Sequence, residues 1–334
     1  FLPYFGELIH HDYAQRSNAE TEESEGYRHE RVDFRGGGTL VYELLRMDEC
    51  QERKEKVKTG LQELVKDRRD SLGNAAKLLS ESDAIKADEW TDPSYMYHDP
   101  KRETIWCENL REGTHRILGA DIARERKVSY LMQWLPFCLA KHMLALATPN
   151  GEPVVAIDVG AGTSPFRQVS QRQYQRDRNS FRRKFSDLAR DKAESSGDPD
   201  DIKLSNILDS DDVSTLGKTV QTLREFYRRT MVYVGALNAN SGVQHYTLDL
   251  PLLEAIVYAM VDQEMPFGDF CSEVLYSKLG MIVDKNSAYR EEGFIDNVEN
   301  RDLEKNEEGL VRYLDTLGLI KSFSDATKMV TVVP

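Results

Sequence analysis

Apolar residues recur at three- and four-residue intervals along most of the first 148 positions, the period of helices that bury one face. The fullest case lies in residues 129–147, where Leu131, Trp134, Leu135, Cys138, Leu139, His142, Met143 and Leu146 form a wide stripe. Pro136 sits inside that stripe and is expected to kink the helix, while His142 reads as a core histidine held by a hydrogen bond. Earlier, the polar residues 16–31 read as a loop. The pattern changes at Val154: the run to Val159 is almost wholly apolar, the mark of a strand buried on both faces. Helical spacing returns with an arginine-rich segment and again around residues 223–229.

From residue 246 onward the elements have clearer boundaries. Asp249 and Pro251 are start signals for a helix whose Leu253, Ile256, Val257 and Met260 share a face. A second helix follows residues 264–268, buries Phe270, Cys271, Val274, Leu275 and Leu279, and closes at Gly280. A third places Leu303, Leu310, Leu314 and Leu317 on one side, and the remaining residues read as strand, turn at Ser324 and Asp325, and strand. Three helices closed by a β-hairpin resembles the winged-helix fold, with residues 281–300 lengthening the connection before the third helix. The resemblance implies a third helix in a DNA groove and a wing on the backbone. That helix, however, opens with Asp302, Glu304, Glu307 and Glu308 against Arg301 and Lys305, the wrong sign for phosphates. This end of the chain is therefore expected to be a protein-interaction or packing unit. The expected class is mixed α/β and helix-dominated: a helical region over 1–148, a middle region with a buried strand over 149–245, and a winged-helix-like module over 246–334.

A chain of 334 residues has room for cores without covalent staples. Its cysteines, Cys50, Cys107, Cys138 and Cys271, lie far apart and form no C-x-x-C pair, so zinc sites and disulfides are not indicated and a reducing cytoplasm is expected. Gln133, Pro136, Lys141 and His142 make residues 129–147 too polar to span a membrane, and no membrane partner is expected. The formal charge of −13 opposes indiscriminate attraction to nucleic acid, so any such contact needs a local patch.

One patch stands out. Between Arg167 and Arg190 there are eight basic residues, including Arg172, Arg176, Arg178, Arg182, Arg183 and Lys184, against Asp177 and Asp187, a local excess of six. Phe166, Tyr174, Phe181 and Phe185 are interleaved with them, and Arg224, Arg228 and Arg229 form a second cluster around Phe226 and Tyr227. Basic residues neutralise a phosphate backbone and rings stack on bases, so Arg167, Arg172, Tyr174, Arg176, Arg178, Phe181, Arg182, Arg183, Lys184, Arg224, Arg228 and Arg229 are the candidate nucleic-acid contacts. The competing reading is a solvated helix whose arginines pair with internal carboxylates.

The second candidate is residues 154–168. There Asp158, Gly160, Gly162 and Thr163 are similar to the first motif of S-adenosylmethionine-dependent methyltransferases, and also resemble a phosphate loop of the actin-like ATPases. Either resemblance implies a cofactor held at those four residues and an enzyme that uses it. The residues that follow supply no second apolar strand ending in an acid for a ribose, and Ser164 with Pro165 discourages a returning hairpin. The simpler reading turns the chain out of a strand at Gly160 and Gly162 and starts a helix at Pro165. The free N–H groups of that helix could hold an anion beside Thr163, Ser164 and Arg167. His10, His11 and Asp12 are adjacent but lack a further metal ligand, and no catalytic constellation is complete. The expected function is a non-catalytic, cofactor-free, nucleic-acid-associated subunit of a larger complex, of the kind prokaryotic DNA-processing and defence systems use. The alternatives are a cofactor-dependent enzyme at the glycine turn and an acidic scaffold that binds only protein.

Overall fold

The computed structural model describes residues 13–17, 27–31, 35–66, 103–148, 153–159, 165–196, 218–238, 243–291, 298–324 and 327–332. Helices dominate, and the strands are short, as the mixed α/β class requires. Residues 16–31 are not a plain loop: β1 (Tyr13–Ser17) pairs antiparallel with β2 (Tyr27–Arg31). These strands are polar and carry no alternating apolar pattern, so their sequence does not mark them.

The helical layer comprises α1 (Arg35–Arg46), α2 (Gln51–Leu64), α3 (Ile105–Gly119) and α4 (Arg124–Ala147). Thr104 caps α3 by accepting from the Trp106 N–H, and the same hydroxyl meets His142 Nδ1 at 2.9 Å, so His142 is the hydrogen-bonded core histidine its position suggests. Helix α4 runs through Pro136 and buries Leu131, Trp134, Leu135, Cys138 and Leu139. Among the described residues no helix is long and apolar enough to cross a membrane.

The buried run at Val154 becomes β3 (Val155–Ala156), which pairs in parallel with β5 (Met281–Ile282). Val155, Ile157, Met281 and Val283 face the large core, while Ala156 and Ile282 face a smaller cluster with Phe166, Val169 and Leu303. Both faces of the pair are thus covered, the condition for parallel strands. The outer edge of β3 is closed by a side chain: Gln173 Oε1 accepts from the Ala156 N–H at 2.6 Å, and the Asp158 N–H donates to Tyr246 O at 3.0 Å. Gly280 enters β5 at φ +61°, and an added Cβ would lie 3.3 Å from the Pro153 carbonyl oxygen, so this turn favours glycine.

Pro165 starts α5 (Pro165–Ser196), as its ring preference predicts, and α6 (Lys218–Tyr233) packs beside it. Then come α7 (Leu250–Met260), β4 (Glu264–Pro266), a π-helix over Phe270–Lys278, α8 (Lys285–Ala288), α9 (Asn300–Thr316), β6 (Ile320–Ser322) and β7 (Lys328–Thr331). The second C-terminal helix is therefore wound wider than an α-helix over most of its length. β7 lies between β4 and β6, antiparallel to both. Contacts cross both boundaries drawn from sequence texture: α7 packs on α3 and α4, and β5 pairs with β3.

Candidate functional site: the basic face of two helices

Core packing decides which residues of α5 are available. Phe166, Val169, Ser170, Tyr174, Asp177, Ser180 and Phe181 are buried, a stripe at helical spacing. The two rings proposed as stacking platforms, Tyr174 and Phe181, are 1% and 4% exposed. Tyr174 meets Tyr246 edge-on at 5.9 Å, and Phe181 packs on Tyr227 at 5.2 Å. The stacking role is corrected accordingly: burying these rings in the core contributes more than exposing them for bases. The Phe185 side chain lies outside the described residues.

The basic residues divide into three groups. Arg167 pairs through Nε with the buried carboxylate of Asp158, and Arg176 bonds Asp177 Oδ1 at 2.8 Å, so both are engaged internally. Arg172, Arg183, Lys184 and Arg229 are exposed. Arg178, Arg182, Arg224 and Arg228 are half-buried where α5 meets α6. Arg224 Nε donates to the Arg178 carbonyl at 3.1 Å, and its Nη2 donates to Asn179 Oδ1 at 2.7 Å, which fixes α6 against α5. Burial, then the charges of Arg178 and Arg182, make the Arg224 guanidinium less basic than usual. The carboxylate on this part of α6, Glu225, is held by Arg228 at 2.8 Å and Arg229 at 3.7 Å. The junction of the two helices thus gathers like charges, with Glu225 between Arg228 and Arg229.

Beneath it lies a closed polar network. Tyr246 Oη donates to Asp177 Oδ2 at 2.8 Å and meets Tyr227 Oη at 2.7 Å. Burial chiefly pushes the Asp177 carboxyl above its ordinary value, with the adjacent Arg176 opposing.

Of the glycine-turn candidates, Gly160, Gly162 and Thr163 lie outside the described residues, as do His10, His11 and Asp12. Asp158 is 3% exposed. Its carboxylate is taken by Arg167 and by His245, whose Nε2 lies 3.6 Å away, and its backbone carbonyl accepts from Thr247 Oγ1 at 2.9 Å. Burial and the Arg167 charge hold the His245 imidazole below its usual value, against the pull of Asp158. Sequence reasoning missed Asn306 at this end of the strands. Its Oδ1 accepts from the Val159 N–H at 2.8 Å, and its Nδ2 donates to the carbonyls of Ile157 and Val283, both at 2.9 Å. One asparagine in an otherwise apolar stripe, between Leu303 and Leu310, is the signal that could have found it.

No family model, curated protein or solved structure matches the chain.

Proposed function

We propose that the protein is a non-catalytic, nucleic-acid-associated component of a larger complex, and that it meets the phosphate backbone through the basic face shared by α5 and α6. The observation that carries this reading is the convergence of Arg178, Arg182 and Arg224 at the junction of the two helices, with exposed Arg172, Arg183, Lys184 and Arg229 extending the surface. Gathered like charges are unfavourable until an anion neutralises them. Because Phe166, Tyr174 and Phe181 face inward, the contact is to backbone and not to bases stacked on these rings, which favours a duplex over a single strand.

The order α7, β4, π-helix, α9, β6, β7 supports the winged-helix reading of the last region. The solvent side of α9 carries Arg301, Lys305 and Arg312 against Glu304, Glu308 and Asp315, with no positive excess for a groove. Docking on a protein partner suits that face better.

The test is the salt dependence of duplex binding, read by fluorescence anisotropy. Replacing Arg172, Arg178, Arg183 and Lys184 by Ala is expected to flatten the plot of log affinity against log salt by up to about 0.9 for each phosphate that is no longer neutralised. An unchanged slope with a lower melting temperature would assign these side chains to internal pairing, and no binding at low salt would remove the reading altogether.

A further inference from the structure

Tyr174 is 1% exposed, and its hydroxyl has no hydrogen-bond partner among the described residues. A buried hydroxyl left unpaired is unfavourable in general, so its surroundings call for an explanation. The ring stands edge-on to Tyr246, but Tyr246 Oη already serves Asp177 and Tyr227. Charges within electrostatic reach of the Tyr174 oxygen are Arg178 on its own helix and Arg224, Glu225 and Arg228 on α6. Glu225, the candidate internal acceptor, is turned to Arg228 and Arg229. Among the described residues the hydroxyl therefore lacks an acceptor, and the three guanidiniums near it have one carboxylate between them.

We infer that Tyr174, Arg178, Arg224 and Arg228 form a discrete oxyanion subsite between α5 and α6, which takes one phosphoryl group. A phosphoryl oxygen accepts from the Tyr174 O–H while the arginines neutralise the charge, so a single ligand supplies both the acceptor and the counter-charge. Entry of the ligand to the buried hydroxyl requires the half-buried Arg178 and Arg228 side chains to move aside, while Arg224, bonded to the Arg178 carbonyl, keeps the two helices in register. The location rests on the basic face assigned above to nucleic acid. The phosphoryl group has two sources, a nucleic-acid backbone or a free phosphate.

Inorganic phosphate is the probe, titrated against the full chain with chloride at equal ionic strength, and melting temperature is the readout. Phosphate is expected to raise the melting temperature of the unaltered protein beyond chloride. Tyr174→Phe keeps the ring and removes the hydroxyl. It is expected to weaken apparent phosphate affinity about tenfold or more, while the phosphate-free protein melts no lower than before. Arg178→Gln should weaken phosphate binding as well. Equal phosphate stabilisation of all three proteins, none beyond chloride, or a lower phosphate-free melting temperature for Tyr174→Phe would overturn the subsite. Duplex binding separates the two readings. Phosphate binding through Tyr174 without duplex binding keeps the subsite, assigns it to free phosphate and removes the nucleic-acid reading. Duplex binding with no phosphate effect does the reverse.

Discussion

Asn306 joins three backbone groups that nothing else in the described chain satisfies, at the point where β3 and β5 end. Replacing it by Leu keeps the branching and the number of side-chain heavy atoms but strands the Val159 N–H and the carbonyls of Ile157 and Val283 in a site that is 0% exposed. At about 1–3 kcal/mol for each buried group left unpaired, the expected loss in urea unfolding is about 3 kcal/mol or more. A loss below about 1 kcal/mol would mean that the strand ends are held by other means. His245 makes a second residue-level case. Its folded value is held below 6.5, chiefly by burial and then by Arg167, so the unfolded chain takes the proton first as pH falls. The associated stability is intact above pH 6.5 and is lost as pH drops toward the folded value. His245→Gln should flatten that acid limb in a series of unfolding curves, although His115, shifted the same way by burial, keeps part of it. The partners of Asn306 and His245 are not legible in the sequence, because most of them lie far along the chain.

At the scale of elements, helix starts were the most legible features. Pro165 and the Asp249 with Pro251 pair each stand where a helix begins, since their demands on the backbone are local. The short strands were less so. The apolar run at Val154 marked β3, but two-residue β5 satisfies no periodic template, and their pairing joins positions more than a hundred residues apart. The α5 rings were legible in principle: Phe166, Tyr174 and Phe181 are spaced by eight and seven, which places them on one helical face away from the exposed arginines. Close approach of α3 and α4 gives a test at this scale. An added Cβ at Gly113 would fall 2.4 Å from the Trp134 indole, a separation that requires one helix to move. Gly113→Ala is therefore expected to destabilise by about 1–3 kcal/mol despite better helix propensity, with an altered Trp signal in near-ultraviolet circular dichroism. An unaltered signal and stability would show that α3 and α4 do not meet there.

At the scale of the whole molecule, one core runs from Val41 to Val330, and the three regions distinguished by sequence texture all contribute to it. Texture records composition along the chain, and it cannot record which surfaces meet. One sequence feature did carry that information. Helix α7 has Leu252, Leu253, Ala255, Ile256, Val257 and Ala259 on nearly every side, and a helix apolar all round must be buried all round. Its partners lie in the first region: Tyr258 stacks on Tyr130 at 4.8 Å, and Glu254 accepts from Arg126 at 2.6 Å. β5 takes its parallel partner, and Asn306 two of its three hydrogen bonds, from residues 155–159. A fragment of residues 246–334 would expose the α7 face and leave β5 and Asn306 without these partners. It is expected to lack dispersed amide signals in NMR, whereas the full chain should unfold in one transition with coincident far-ultraviolet and Trp fluorescence curves. A well-dispersed spectrum from the fragment would show that the C-terminal module folds without the rest of the chain.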